Sequence, residues 1–263
     1  MKYPNDFINK IICGDCIDVM KVMPDSSVDL TVTSPPYDNL RDYNGYKFDF
    51  KVIAKQLFRV AKNGGVVVWV VGDATIKGSE SGTSFKQALY FKKIGFNIHD
   101  TMIYQKNSYP FPPSNRYFSV FEYMFVLSKG APKITNLIKV STVGYKSKSA
   151  TSRQKDGSIV AMRGAMGKDT RVKDNIWKYD VGYNLSTKDK IAFKHPATFP
   201  DVLAERHIIS WSNENDIVYD PFMGSGTTAK MALKNKRKYI GSELSKEYCD
   251  IAEQRINTKL TKE

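Results

Sequence analysis

A glycine-rich turn between Asp220 and Ala229 (DPFMGSGTTA) is the clearest ligand-binding signal in this 263-residue chain. Its two glycines, Gly224 and Gly226, and its final alanine fit the G-x-G-x-x-[GA] pattern of dinucleotide-binding turns. Glycines at such positions let the backbone turn tightly and approach a ligand closely. Glu243 follows 17 residues after Gly226, near the distance expected for a carboxylate that accepts hydrogen bonds from ribose hydroxyls. The pattern indicates a nucleoside cofactor, and its alternative is a tight turn beside a surface glutamate.

A second candidate site is the tract Thr33–Tyr37 (TSPPY), which ends the apolar run VDLTVT. Proline cannot donate to a β-ladder, so Pro35 and Pro36 must lie beyond the end of that strand. The carboxyl end of a strand is where open α/β sheets bind ligands. The hydroxyl of Ser34, the carbonyl of Pro35 and the ring of Tyr37 can together hold a planar group that carries an amine. The alternative is a rigid exit from the strand.

These two tracts are positioned by strands and helices that the apolar pattern predicts. The predicted strands span Asn9–Cys13, Val28–Thr33, Val66–Val71, Phe96–Gln105, Phe118–Leu127, Asp216–Tyr219 and Lys238–Ser242. The predicted helices span Cys16–Met23, Phe50–Lys62, Thr83–Ile94, Pro200–Trp211 and Thr227–Asn235. Strands that alternate with helices indicate an α/β fold, and we expect a doubly wound, mostly parallel sheet. Residues 141–170 show no clear period and predict a mobile loop or a small irregular subdomain.

The charge of the chain is +13, and it is unevenly distributed. The segment from Lys129 to Lys194 holds 15 basic and 5 acidic residues, so +10 of the total lies there. Such a block favours a polyanionic partner such as nucleic acid, and its alternative is a lysine-rich solvated surface. The candidate DNA contacts within it are Lys146, Lys148, Arg153 and Lys155.

The three cysteines, Cys13, Cys16 and Cys249, form no disulfide framework, which favours a reducing cytoplasm. Cys13 and Cys16 make a C-x-x-C without a second pair at zinc spacing, so we expect no metal site. The N-terminus lacks the apolar centre of a signal peptide. No run approaches the roughly 18 apolar residues of a membrane span, and we expect no membrane partner.

The order of the two tracts, TSPPY first and DPFMGSGT far downstream, resembles the amino-methylating DNA methyltransferases of bacterial restriction–modification systems and their orphan relatives. It is similar to the permuted, or beta, arrangement of that family, and the likeness covers most of the chain. The resemblance implies a Rossmann-like, S-adenosylmethionine-dependent methyltransferase fold. Residues 1–129 would form its catalytic half, residues 130–194 an inserted target-recognition and DNA-binding region, and residues 195–263 its cofactor-binding half.

The resemblance also assigns site residues. The catalytic residues would be Ser34, Pro35, Pro36 and Tyr37, and the cofactor residues would be Asp15, Cys16, Asp220, Phe222, Gly224, Ser225, Gly226, Thr227 and Glu243. The segment Lys194–Pro200 is similar to the one that contacts the methionine end of the cofactor. Phe121–Tyr123 lies where the family builds part of the target-base pocket, although buried strand core also explains these aromatic residues.

The implied reaction transfers a methyl group from S-adenosylmethionine to an exocyclic amino nitrogen of a flipped base in double-stranded DNA. Ser34 as the first residue of its motif favours cytosine N4 in this family, and adenine N6 is the alternative. A cytosine C5 enzyme would need a nucleophilic cysteine, typically after proline, and none of the three cysteines is so placed. A cognate restriction endonuclease and a homodimer are the partners that the resemblance adds.

Two other classes of protein compete with this interpretation. A non-catalytic nucleic-acid-binding protein explains the charge but not two ligand-type tracts. A nicotinamide dehydrogenase explains the glycine turn and Glu243 but gives TSPPY and the basic segment no role. Methyl transfer to RNA or to a protein glutamine uses a related Pro-Pro-Tyr tract, usually with asparagine first.

Overall fold

A computed structural model describes residues 1–36, 48–107, 115–142, 151–161 and 169–257. Contacts between Cα atoms divide the chain into two compact units, one formed by Met1–Asn136 with Asn175–Glu263 and the other by Leu137–Asp174. Within the described ranges, no helix is both long and apolar enough to span a bilayer.

The larger unit is built around one sheet with helices packed on it. Its strands are β1 Lys10–Cys13, β2 Val28–Thr33, β3 Ala61–Val71, β4 Thr75–Ile76, β5 Ser79–Glu80, β6 Asn97–Lys106, β7 Phe121–Ser128, β12 Ile176–Tyr179, β13 Ile217–Asp220 and β14 Lys238–Glu243. Its α-helices are α1 Cys16–Val22, α2 Phe50–Val60, α3 Thr83–Lys93, α4 Asp201–Trp211, α5 Thr227–Lys234 and α6 Lys246–Asn257, with a 3-10 helix at Lys190–Lys194.

The eight main strands lie in the order β1-β14-β13-β2-β3-β7-β6-β12, and β4 pairs only with β5. From β1 to β3 every neighbouring pair is parallel, while β7 runs antiparallel to both of its neighbours and β12 is parallel to β6. Helices α1, α2 and α3 pack together in one group and α4, α5 and α6 in another. The predicted doubly wound, mostly parallel α/β fold is confirmed.

The centre of the sheet is buried because the side chains on both of its faces are largely apolar. In β3 every residue of the run VVVWVV, residues 66–71, is buried, as expected for a strand covered by helices on both sides. Helix α2 buries the stripe Ile53, Ala54, Leu57 and Val60 against this core. The Asp49 side chain caps that helix by accepting a hydrogen bond from the Val52 N–H at 3.2 Å.

The boundary between α2 and β3 differs from the prediction. The helix ends at Val60 rather than Lys62, and the strand begins at Ala61 rather than Val66. The extra residues form a bulge opposite Asp29, and the Lys62 ammonium lies 2.7 Å from the Asp29 carboxylate there. The predicted stop at Asn63–Gly65 is therefore a kink within the strand and not the end of the helix.

Four features of the larger unit were not predicted: helix α6, strand β12, the 3-10 helix at Lys190–Lys194 and the small hairpin formed by β4 and β5. The smaller unit contains β8 Lys139–Ser141 paired with β11 Thr170–Val172, and β9 Thr151–Arg153 paired with β10 Ile159–Ala161, both antiparallel. These strands fall in or next to residues 141–170, for which the sequence shows no period. The predicted role of this region in target recognition stays a prediction.

Candidate functional site

The carboxyl ends of β1, β14, β13 and β2 meet at one edge of the sheet, since these strands are parallel neighbours. A cavity of about 880 Å³ opens at this edge. The predicted site residues that line it are Asp15, Cys16, Ser34, Pro35, Pro36, Phe222, Gly224, Ser225, Thr227 and Glu243. The sheet thus brings together two tracts that lie near opposite ends of the sequence.

The turn between β13 and α5 forms the floor of the cavity. Gly224 has φ = +50°, and a Cβ atom there would lie 3.1 Å from Nε2 of His195. The His195 ring, which also lines the cavity, packs edge-on against Tyr248 with ring centroids 4.3 Å apart. A side chain at position 224 would therefore displace the wall of the cavity, as expected for a turn that lets a ligand approach the backbone.

Gly226 is not among the residues that line the cavity, and its missing side chain faces α6. Its φ is +83°, and a Cβ atom there would lie 2.9 Å from the Cβ atom of Ala252 in α6. Only glycine adopts this conformation without strain. The second glycine of the turn therefore allows α6 to pack closely against the start of α5.

Glu243 stands at the end of β14 and is held by the backbone. Its Oε2 accepts a hydrogen bond from the Gly224 N–H at 2.8 Å, and its Oε1 accepts one from the Ser245 N–H at 2.9 Å. Burial raises the pKa of this carboxyl, and the backbone N–H groups partly offset the effect. A carboxylate offers about four lone-pair sites, so each oxygen keeps capacity for a ligand hydroxyl.

Asp220 is buried at the end of β13 and is not among the residues that line the cavity. Its Oδ1 accepts hydrogen bonds from the Thr33 hydroxyl at 2.6 Å and from the Phe222 N–H at 3.0 Å. Burial raises the pKa of this carboxyl to about 6. Asp220 therefore joins the end of β2 to the glycine turn. Its contact with the cofactor, which the sequence resemblance implies, stays a prediction.

Asp15 and Cys16 lie at the junction between β1 and α1. The Asp15 side chain caps α1 by accepting a hydrogen bond from the Ile17 N–H at 2.7 Å, and Cys16 is buried. A Cβ atom at Gly14 would meet no protein atom within 4 Å, so the backbone there faces open space beside the cavity. No cluster of three or more metal-ligating side chains is found in the part of the chain that the structure describes.

A buried arginine in α6, which no sequence motif indicated, supports the glycine turn from behind. Arg255 is fully buried and donates to the Thr227 hydroxyl at 2.7 Å and to Ser225 at 3.3 Å. Its charge is balanced by Asp189 at 2.8 Å and by Asp201. The hydroxyls of Ser225 and Thr227 are thereby held by Arg255 on the protein side of the turn.

The opposite wall of the cavity carries an ion pair of which sequence analysis indicated only Glu122, as part of the tract Phe121–Tyr123. The Lys106 ammonium, at the end of β6, lies 3.0 Å from the Glu122 carboxylate, near the start of β7, and both side chains are largely buried. Tyr104 lines the same wall and is paired in register with Glu122. Of the tract predicted for this wall, Tyr123 instead stacks on Phe125 with ring centroids 5.3 Å apart.

Some predicted residues cannot be placed. Tyr37, Lys146 and Lys148 lie outside the described residues. Arg153 and Lys155 belong to the smaller unit and are exposed.

Comparison with known proteins identifies the class of molecule that has this site. A family model described as "DNA methylase", for N6 and N4 methyltransferases, matches residues 28–254. The chain belongs to the N6/N4 DNA methylase family. It is therefore an enzyme of the S-adenosylmethionine-dependent DNA methyltransferase class, as the sequence resemblance implied.

Members of this family are similar to the chain over most of its length. The orphan methyltransferase M.BamHII of Bacillus amyloliquefaciens is 60% identical, with 88% of this chain and 89% of the relative covered. The type II methyltransferase M.BglII of Bacillus subtilis is 29% identical, with 96% and 70% covered. The N6/N4 methylase assignment thus applies to both tracts and to the segment between them.

Solved structures support the same fold. A putative DNA modification methylase of Thermus thermophilus, complexed with S-adenosylmethionine, has a TM-score of 0.64 at 25% identity, with 94% of this chain and 92% of that chain covered. The cytosine-N4-specific PvuII DNA methyltransferase has a TM-score of 0.68 at 20% identity, with 98% and 91% covered. The second likeness concerns the fold alone.

Proposed function

We propose that this chain transfers the methyl group of S-adenosylmethionine to the exocyclic N4 nitrogen of cytosine in double-stranded DNA. The observation that carries the proposal is that the Ser34–Pro36 tract, the glycine turn and Glu243 line one cavity. A methyl donor and an acceptor amine can therefore be held side by side, and such positioning supplies much of the catalysis in a transfer between bound partners.

The residues of the cavity fit S-adenosylmethionine. Glu243 suits the ribose hydroxyls, Asp15 suits the adenine amino group, and the backbone at Gly224 and Phe222 suits the methionine portion. A Cβ atom at Gly224 would contact His195, so this part of the cavity stays open for a ligand only if residue 224 has no side chain. When bound, the cofactor supplies a methyl group that its sulfonium has already activated.

The amino nitrogen of a base is a poor nucleophile because its lone pair is delocalised into the ring. The Ser34 hydroxyl and the Pro35 carbonyl accept hydrogen bonds from the two amino hydrogens, which favours a pyramidal nitrogen with a directed lone pair. Two consecutive prolines fix the direction of these acceptors. We assign Tyr37 to stacking on the flipped base, where a stacked base is worth about 1–3 kcal/mol.

Ser34 as the first residue of its tract favours cytosine over adenine. Either base must leave the duplex stack to enter the cavity, at a cost of a few kcal/mol. We further expect the beta-type arrangement of the family, action in the cytoplasm, DNA contacts from residues 130–194, and a homodimer or a cognate restriction endonuclease as partners.

Mass spectrometry of nucleosides from DNA that the purified protein has methylated tests the proposal. We expect N4-methylcytosine with the wild type and a strong loss of product with Ser34→Ala at unchanged cofactor affinity. N6-methyladenine would move the activity to the other base of the family, and 5-methylcytosine would refute the mechanism. The matched control is Ser26→Ala, which changes an exposed serine that does not line the cavity.

A further inference from the structure

The function proposed above gives no role to the side chains of Lys106 and Glu122, although Glu122 lies in the tract Phe121–Tyr123 that the family resemblance places at the target base. Both side chains are mostly shielded, with exposed fractions of 23% and 18%, and their charged atoms are 3.0 Å apart. A desolvated ion pair contributes little net stability because the loss of hydration offsets the attraction between the charges. Because the Lys106–Glu122 pair lines a ligand cavity, ligand recognition explains its presence better than stability does.

The order of the strands divides the cavity into two halves. Strand β2, which ends at the Ser34–Pro36 tract, has β13, β14 and β1 on one side and β3, β7 and β6 on the other. The first group carries the glycine turn, Glu243 and Asp15, which fit the cofactor. The second group carries Tyr104, Lys106 and Glu122.

Distance separates Lys106 from the cofactor residues. Neighbouring strands are about 4.8 Å apart, so β6 lies about 19 Å from β13 across the sheet and about 14 Å from β2. Strand β7, which holds Glu122, lies about 10 Å from β2. A ring whose amino group is held at the end of β2 therefore extends toward the Lys106–Glu122 pair and away from the cofactor half.

Resting on the proposed function, we infer that the Lys106 ammonium, held in place by Glu122, donates a hydrogen bond to the O2 carbonyl of the flipped cytosine. This oxygen is the ring acceptor farthest from the amino group along the pairing edge of cytosine. Adenine has a C–H group at the corresponding place, so the pair selects cytosine. Lys106 is then a specificity-determining residue, and Glu122 is a positioning residue.

The test uses a duplex that contains the recognition site, found by mapping modified bases in a host that expresses the chain. A second duplex carries, at the target position, an aminopyridine C-nucleoside that keeps the ring nitrogen and the amino group but lacks O2. For the wild type we expect kcat/KM to fall by about 10- to 100-fold on the second duplex, since a hydrogen bond from a charged donor is lost. Lys106→Met should have about the same kcat/KM on both duplexes.

Two further variants control for an uncompensated charge and for the loss of an ion pair elsewhere in the protein. Lys106→Met combined with Glu122→Gln leaves no unpaired buried charge and should show the same loss of discrimination in a protein that folds. Lys62→Met removes a comparable ion pair with Asp29 that does not line the cavity, and it should discriminate like the wild type. Calorimetric affinity for S-adenosylmethionine should be unchanged in all three.

The inference is overturned if Lys106→Met still prefers the natural duplex over the duplex without O2 to the same degree as the wild type, even if it methylates both more slowly. It is also overturned if Lys106→Met binds S-adenosylmethionine more weakly. Failure of the proposed function appears separately, in the wild type alone, as the absence of N4-methylcytosine from the natural duplex.

Discussion

The two glycines of the turn between β13 and α5 serve different purposes, although one motif contains both. Gly224 faces His195 at the cavity, whereas Gly226 faces Ala252 on the opposite side. Sequence analysis assigned both to ligand approach because a motif records spacing and not the direction of a missing side chain. The atoms nearest to an added Cβ distinguish the two roles, since they belong to the cavity wall at Gly224 and to α6 at Gly226.

We predict that Gly226→Ala destabilises the fold more than a matched substitution at an open glycine. Gly130 has a similar φ of +77° but no atom within 4 Å of its Cβ position. Gly130→Ala should cost about 1–2 kcal/mol from backbone strain alone. At Gly226 overpacking against α6 should add about 1–3 kcal/mol. Free energies of unfolding in urea measure both, and equal values would contradict the packing role.

A second prediction concerns Asp220, whose pKa burial raises to about 6 from an ordinary value of 3.8. The folded state therefore binds this proton more tightly than the unfolded chain, and the carboxyl lowers stability as the pH rises from about 4 to about 6. Two pH units correspond to about 3 kcal/mol. Asp220→Asn should remove this pH dependence of stability. The free energy of unfolding of the variant, measured relative to that of the wild type, should therefore rise by about 3 kcal/mol between about pH 4 and pH 7.

Urea unfolding of Asp220→Asn and wild type across this pH range provides the measurement. Asn keeps an oxygen that can accept from Thr33 and Phe222, so the joint between β2 and the glycine turn is preserved. A difference between the two proteins that does not change with pH would show that Asp220 titrates at its ordinary pKa.

At the scale of the elements, α6 is the helix that most directly supports the cofactor half. Its buried face holds Cys249, Ile251, Ala252 and Arg255. Arg255 reaches past the helix to the glycine turn and to two aspartates. Because removal of one partner leaves buried charges uncompensated, this network is sensitive to single substitutions.

We predict that Arg255→Met lowers the free energy of unfolding by about 3–5 kcal/mol and weakens binding of S-adenosylmethionine. Asp189 and Asp201 would lose their cation, and the turn would lose its contacts to Ser225 and Thr227. Lys246→Ala, which breaks an exposed pair on the same helix, should leave the Tm unchanged. Calorimetry gives both quantities, and normal cofactor affinity in a folded Arg255→Met protein would argue against the supporting role.

Among the elements that sequence analysis predicted, the most clearly marked are those with an uninterrupted apolar pattern. The run of residues 66–71 and the stripe of α2 are both of this kind. Helix α6 was missed because an arginine occupies its buried face, so the apolar stripe is incomplete. The pair Lys106–Glu122 was missed for a different reason: it depends on the antiparallel register of β6 and β7, which no local pattern reveals.

For the candidate site, the two tracts that line the cavity were identifiable from sequence because their glycines and prolines restrict the backbone in recognisable ways. The contact between Thr33 and Asp220 was not, since it joins residues 187 positions apart through the strand order. Sequence motifs therefore identified the ends of the strands, and only the sheet showed which side chains face the cavity.

At the scale of the whole molecule, the basic segment should account for much of the affinity for DNA. Neutralising Lys146, Lys148, Arg153 and Lys155 together should reduce the slope of log affinity against log salt by about 3 to 4, because each lost phosphate contact contributes about 0.9. The control neutralises the exposed lysines Lys10, Lys236 and Lys238, which lie at or next to the starts of β1 and β14, away from the carboxyl ends.

Binding isotherms over a range of salt concentrations measure the slope for each protein. The control should keep the wild-type slope. If the fourfold variant keeps it as well, those side chains do not meet phosphates and the segment is a solvated surface.

The pairing of β1 with β14 has a consequence for how the protein is made. Residues 10–13 pair with residues 240–243, so β1 must wait until about 230 further residues have been synthesised before it can pair with β14. At a synthesis rate of about 5–20 residues per second, that wait is on the order of ten seconds or longer. A polypeptide on a ribosome that stalls before residue 240 therefore lacks most of β14, and with it Glu243, which lines the cavity. A newly made molecule therefore has no complete cavity until these residues have been synthesised.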